Sequence, residues 1–301
     1  MRHKLKNYIA LIFWSHSAAS FALCDDDVKC TQFGMYALDA NTSGQSNTAA
    51  GYSALASNTS GNGNSAFGSL ALSFNVDGED NSALGVAALN LNTAGKQNTA
   101  VGTTSLMTNR TGNDNTAAGV GALQTSVTGS YNTAVGAFAM QNQQAGGSNA
   151  ALGDYTLWKS IGNFNTALGS EALSSLVRGD RNIAIGASAG EKITTGSNNI
   201  TIGNGGLPSD NKTIRVGVQG TQTRAFVAGI KGVTVSGAAI LVNSSGQLGV
   251  ASSSREVKQD IEPMGDASDR LMALRPVRFR YKEPNEDGKK PLQFGLVSFV
   301  G

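Results

Sequence analysis

Residues able to carry acid–base or metal chemistry are scarce in this chain. It has two histidines, His3 and His16, and two cysteines, Cys24 and Cys30. Both histidines fall in an N-terminal stretch that reads as removable. Without it no imidazole remains for general acid–base or triad catalysis, and the usual nitrogen ligand of zinc is gone. No cofactor and no metal site is expected. Proline is absent before Pro208, so nothing upstream removes a strand's backbone donor. After the leader no apolar run approaches the roughly 18 residues of a membrane-crossing helix, and no transmembrane anchor is expected in this chain. Aromatics make up 6% and charged residues 15% of the 301 positions, while glycine occurs 38 times. That is a poor composition for two ordinary globular cores, so internal repetition is the first alternative to test.

Residues 1–22 read as a secretory signal. Arg2, Lys4 and Lys6 give a basic start, Tyr8–Trp14 is a short apolar run, and Ala19 or Ala22 ends a small-residue cleavage site. Removing three basic residues from 23 Lys and Arg leaves a charge near −1 against 21 Asp and Glu. No basic patch argues for nucleic acid. A secreted or bacterial cell-surface (outer-membrane) location follows as an expectation. Cys24 and Cys30 lie beyond either cleavage point, and in an oxidising compartment they pair as a short-loop disulfide. Two alternatives stay open: free thiols, and lipidation of Cys24, against which bulky Leu23 argues.

What the chain has in abundance is one phrase, Asn-Thr-Ala-x-Gly. It begins at Asn47, Asn64, Asn81, Asn98, Asn115, Asn132, Asn149, Asn165, Asn182 and Asn199. Every step is seventeen residues except the sixteen from Asn149 to Asn165. Alanine holds the third position from Ala49 to Ala184, and an apolar residue the fourth, as in Phe67, Leu84, Val101 and Leu152. Glycine holds the fifth. A leucine-type residue follows from Leu55 to Leu173, and a second glycine closes each repeat.

Seventeen residues are too few for two helices and a turn, and Gly and Asn are poor helix formers. Short parallel β-strands stacked coil upon coil fit the pattern, with glycines at the corners. Ten coils at about 4.8 Å each make a rod of roughly 48 Å. An asparagine repeated at every coil can donate its amide to one neighbour and accept from the other, forming a ladder. One leucine, one variable apolar residue and a few alanines bury little surface per coil. Association of identical rods is therefore expected, with the chain itself as its main partner.

"NTAAGYSAL", "NSALGVAAL" and "NTAVGAFAM" resemble the head repeats of YadA-like trimeric autotransporter adhesins, and related repeats occur in phage tail fibres. The resemblance covers about residues 30–204. It implies an all-β, left-handed parallel β-roll packed as a homotrimer about a threefold axis. The membrane-anchoring barrel of those adhesins is not visible in this sequence.

The period ends after Gly203. Residues 205–251 alternate β-branched residues with glycine and polar residues, as a stem would. Ile214–Val216, Phe226–Val227 and Ile240–Val242 call for burial there. Composition then shifts: residues 41–204 hold 14 charged residues in 164, whereas residues 253–292 hold 17 in 40. The expected division is thus a signal at 1–22, head repeats at 23–204, a stem at 205–251 and a module at 252–301.

In that module, "SSSREVKQDIEPMGDASDRLMALRPVRFRYK" resembles the start of the endosialidase-type intramolecular chaperone. That domain helps three fibre chains assemble and then cuts at its own N-terminal boundary. The family's Ser-x4-Lys spacing falls on Ser253 and Lys258, which implies cleavage between Ser252 and Ser253. A lysine made neutral by desolvation can serve as the base. Asp266 or Ser268 is placed to cap a short helix that Pro276 ends, and Val277, Phe279 and Tyr281 alternate as a strand. The match stops short of the long helical segment that the resemblance implies.

Three functions fit these features. One is a non-catalytic adhesin-like surface fibre that displays its repeat head to a surface receptor or glycan. Another is a phage-type tail fibre or spike. The third, a glycan-cleaving solenoid, needs paired carboxylates in a groove; the repeats have few acids, and their cluster of Asp77, Glu79 and Asp80 reads as one charged loop. Tyr52, Arg110, Tyr131, Tyr155, Trp158 and Lys159 occupy variable coil positions and are either binding spots or ordinary exposed residues.

Overall fold

The computed structural model describes residues 30–228, 239–250, 275–280 and 293–297. It is all-β, with no helix among those residues. The chain divides into two units, Met1–Phe226 and Val227–Gly301.

In the first unit, twelve three-residue strands form one parallel sheet in chain order. They are β1 Thr31–Phe33, β2 Thr48–Ala50, β3 Ser65–Phe67, β4 Ser82–Leu84, β5 Thr99–Val101, β6 Thr116–Ala118, β7 Thr133–Val135, β8 Ala150–Leu152, β9 Thr166–Leu168, β10 Ile183–Ile185, β11 Ile200–Ile202 and β12 Ile214–Val216. Each pairs with its neighbour one repeat away; Thr48 faces Ser65, Ala49 faces Ala66, and Ala50 faces Phe67. The fold is a parallel β-solenoid whose coils are the seventeen-residue repeats. The sixteen-residue step keeps the register, because Ala150 still faces Thr166. The stack also runs past the last full repeat: Ile200 faces Ile214 across a coil of fourteen.

Period-two alternation decides which strand residue goes inside. The central alanines, Ala49 through Ala184, are buried, and the residues flanking them point outward. A leucine column fills the rest of the interior. Leu55, Leu72, Leu89, Leu106, Leu123 and Leu173 are wholly buried, each contributing about 2 kcal/mol.

In each repeat only the Asn-Thr-Ala-x-Gly segment is a strand. The Ala–Leu segment is a turn whose leucine takes a left-handed backbone, with φ 52° at Leu55 and 48° at Leu106. That conformation costs an L-residue about 1–2 kcal/mol. Burial offsets it, as does a hydrogen bond to the next coil, such as Leu55 N–H to Ala71 O at 3.0 Å.

The two glycine columns answer different needs. Gly102 has φ 123°, and a Cβ there would stand 2.6 Å from Gly119 O. Gly112 has no positive φ, but a Cβ on it would run into Gly129 O. Gly102 is required by conformation and space, Gly112 by space alone.

Where the stack ends, the alanine column gives way to Thr201 and then Arg215. Arg215 donates from Nε to Asp210 Oδ2 at 2.6 Å and from a terminal nitrogen to Oδ1 at 2.7 Å. Asp210 is buried and also accepts from Leu207 N–H at 2.9 Å. This ion pair closes the last coil with polar groups, as the end of a solenoid requires.

In the second unit, β13 Ile240–Val242 pairs antiparallel with β14 Leu248–Val250. Asn243 Oδ1 organises their turn by accepting from Ser245 N–H at 3.0 Å and Gln247 N–H at 2.9 Å. β15 Arg275–Phe279 pairs antiparallel with β16 Gln293–Val297. The short helix expected before Pro276 lies outside the described residues.

Candidate functional surface

The ten repeat asparagines stand in one buried column. From Asn64 to Asn199, each Nδ2 donates to Oδ1 of the asparagine one coil earlier at 3.0–3.2 Å. The second Nδ2 hydrogen meets the carbonyl of the glycine that closes the repeat, as from Asn98 to Gly112 O at 2.8 Å; at Asn199 that acceptor is Asp210 O. Each Oδ1 also accepts the following asparagine's backbone N–H, as Asn98 Oδ1 does from Asn115 at 3.1 Å. Two donors and two acceptor sites exhaust a primary amide. The column therefore has nothing left for a ligand; its role is to lock the register.

A second ladder escaped the sequence reading. Asn58, Asn75, Asn92 and Asn109 donate in turn to Asn41, Asn58, Asn75 and Asn92 at 2.7–2.8 Å. Its signal was visible as five asparagines seventeen apart, hidden because the next coils place Ser126, Gln143 and Ser160 there. The ladder stops at that point. Asn109 Oδ1, Ser126 Oγ and both side-chain polar atoms of Gln143 are buried without a partner.

The outward strand columns carry what varies. One holds mostly Thr and Ser; the other is apolar, with Phe33 54%, Leu84 53%, Leu152 50% and Ile185 39% exposed. Toward the C-terminal end both turn apolar, through Ile183, Ile200, Ile202, Ile214 and Val216. The stem residues expected to be buried are also open: Ile214, Phe226, Val227 and Ile240 are 69%, 88%, 69% and 68% exposed in the single chain. Within the solenoid, an apolar column exposed along the sheet marks a contact site.

Of the variable residues, the structure brings three together. Tyr155 and Trp158 meet at a ring-centroid distance of 6.2 Å, Phe138 joins Tyr155 at 5.1 Å, and Lys159 Nζ lies 5.4 Å from the Trp158 ring centre. Tyr52 instead packs edge-on against Tyr36, with centroids 5.8 Å apart. Arg110 and Tyr131 are exposed in other coils. Phe138 was not singled out by its sequence, where it is one more variable residue.

In the acidic cluster, Glu79 accepts from Lys96 Nζ at 2.7 Å on an exposed surface. That bond and the facing charge hold the carboxyl below its ordinary pKa and raise the lysine's. An exposed, lowered carboxylate is poorly suited to protonating a glycosidic oxygen. Among the described residues no group of three His, Cys, Asp or Glu converges as metal ligands would, and no helix is long and apolar enough to cross a membrane. Cys30 is disulfide-bonded. Cys24, Ser253 and Lys258 lie outside the described residues.

A family model described as chaperone of endosialidase matches residues 253–298. The stretch includes Ser253 and Lys258 but covers too little of the chain to make the whole a member of that family. Neither the curated proteins nor the solved structures give a match.

Proposed function

We propose that this chain is a non-catalytic fibrous surface protein. Its solenoid is a trimeric head of the YadA-like type, secreted or held at the bacterial cell surface. Residues 252–301 form an assembly and self-processing module. A β-solenoid joined to a chaperone-of-endosialidase segment fits a fibrous, tail-fibre-like protein; display to a receptor is the more specific reading.

One observation carries it. The amides of the repeat-asparagine column are consumed by the stack's own ladder, whereas apolar strand and stem residues lie open in the single chain. Such a rod holds shape, presents an outer surface and leaves a face for sister chains to cover. Three copies would bury the apolar columns that one copy exposes.

The test is the solution mass of the purified full chain, 30.9 kDa per copy. Light scattering should give three copies. A folded monomer at micromolar concentration would remove the trimer. Self-processing predicts a fragment beginning at Ser253, abolished by Ser253→Ala or Lys258→Ala; an intact chain by mass spectrometry removes that activity.

A phage-type tail fibre is the second reading, supported by the same family match. N-terminal sequencing after bacterial expression separates the two. Cleavage near Ala19 or Ala22 supports export, and a retained Met1 supports the tail fibre.

A further inference from the structure

Phe138 and Tyr155 hold the same place in successive coils, as do Gln124, Gln141 and Trp158. The ring contacts bring these two columns side by side, with Tyr155 and Trp158 at 71° to each other. Trp158 Nε1–H donates to Gln141 Oε1 at 2.9 Å, and Gln141 Nε2 donates to Gln124 Oε1 at 2.7 Å. The indole thus has its single polar atom satisfied and its orientation fixed by an amide relay spanning three coils. One coil before Phe138 stands Gly121, where a Cβ would come within 2.8 Å of the ring; its absence makes room for the phenyl group. Tyr155 is 40% exposed, and Phe138 and Trp158 are half-buried. Two of the three aromatic pairs among the described residues are here.

We propose that this surface is a carbohydrate-binding platform that takes the apolar face of a pyranose ring in a neutral glycan. The inference rests on the display reading above and names its ligand class. A sugar ring offers C–H groups on one face and hydroxyls around its rim. Its complement is a fixed aromatic plane edged by amide and hydroxyl groups. Phe138 and Tyr155, whose rings are tilted by 32°, supply the apolar surface, and Trp158, at 71° to Tyr155, walls one side of it; Gln124 Nε2 and the Tyr155 hydroxyl supply the rim. Asp154 and Lys159 are both exposed in this coil and carry opposite charges, which favours a neutral sugar over an anionic one. A purely apolar protein partner would strand the same amides without hydrogen bonds. Because the Gln141 relay orders the indole beforehand, binding spends little entropy on fixing it.

The test immobilises the full chain and titrates four neutral hexasaccharides, built of glucose, N-acetylglucosamine, mannose or galactose. At least one should bind, and Tyr155→Ala and Trp158→Ala should each weaken it about tenfold without lowering the melting temperature for Tyr155→Ala. Should Trp158→Ala fail to fold, Gln141→Leu, which frees the indole, takes its place with the same expected loss. Failure of all four sugars to bind, or unchanged binding by Tyr155→Ala, overturns the platform. Adhesion of protein-coated beads to cells separates this from the broader reading. Adhesion that survives periodate treatment of the cells as well as Tyr155→Ala leaves display standing and removes the glycan site. Adhesion that survives periodate but not Tyr155→Ala assigns the platform to a protein partner and overturns the sugar. Beads that adhere to nothing, while a hexasaccharide binds, remove the display role and keep the site.

Discussion

Asn109 donates from Nδ2 to Asn92 Oδ1 at 2.8 Å, yet its own Oδ1 is buried without a donor. The next coil offers Ser126, whose side chain is one atom shorter and lacks an amide. Ser126→Asn restores the missing rung: its Nδ2 would reach Asn109 Oδ1 and Gly129 O, as Asn109 reaches Asn92 Oδ1 and Gly112 O. The expected gain is about 1 kcal/mol, read as a higher midpoint in guanidinium. A lower midpoint would show that the gap cannot accept an amide.

Removing a rung from the first column should cost more than the second column gains. Asn98→Ala leaves Asn115 Nδ2 and its N–H without their acceptor and Gly112 O without one of its donors. The expected loss is about 3 kcal/mol. Asn98→Asp puts an oxygen where Nδ2 faces two acceptors, so at pH 7 it should be worse. The buried carboxyl's folded pKa is then raised, and the protein should regain stability as pH falls. Equal melting of the two variants across pH would contradict this.

Acid should act first at the C-terminal end of the stack. The hydrogen bond from Arg215 holds the Asp210 carboxyl below its ordinary pKa of 3.8. A lowered folded pKa contributes stability that is present above 3.8 and is lost as pH falls through the folded value. Hydrogen exchange at Ile200–Ile202 should therefore quicken below about pH 4. Asp210→Asn should quicken it at neutral pH and flatten the acid dependence. Uniform exchange along all coils at low pH would show that the cap is not the weak point.

The glycine columns give a graded series. Gly102→Ala combines a φ of 123° with a Cβ 2.6 Å from Gly119 O, and should cost about 3 kcal/mol or more. Gly112→Ala should also be costly, through crowding alone. Gly203→Ala, with φ 57° and nothing within 4 Å of the added carbon, should cost only about 1 kcal/mol. Equal losses at all three would mean that the coils can part to admit a methyl group.

The period and the asparagine spacing translate directly into the offset between facing strands, because stacking makes sequence distance and spatial step the same quantity. The left-handed φ of Leu55 or Leu106 was not legible. Leucine has no taste for that conformation, and the stack imposes it. The exposure of Phe67 and Leu84 was equally hidden, since an apolar residue beside a buried alanine looks like core until alternation assigns its side. The aromatic platform needed the fold to bring Phe138 and Tyr155, seventeen residues apart, into contact. The Ser253–Lys258 pair falls outside the described residues and stays a sequence-level proposal.

The sixteen-residue coil has one more consequence. Asn165 still donates to Asn149 at 3.2 Å, so a lost residue is taken up in the loop while the column stays in phase. A whole coil can then be duplicated or excised with its severed ends already matched; without residues 98–114, Asn81 would meet Asn115 as Asn81 now meets Asn98. Slippage between near-identical segments of the coding DNA would lengthen or shorten the reach of the fibre in fixed increments, giving lineages of different height built from one part.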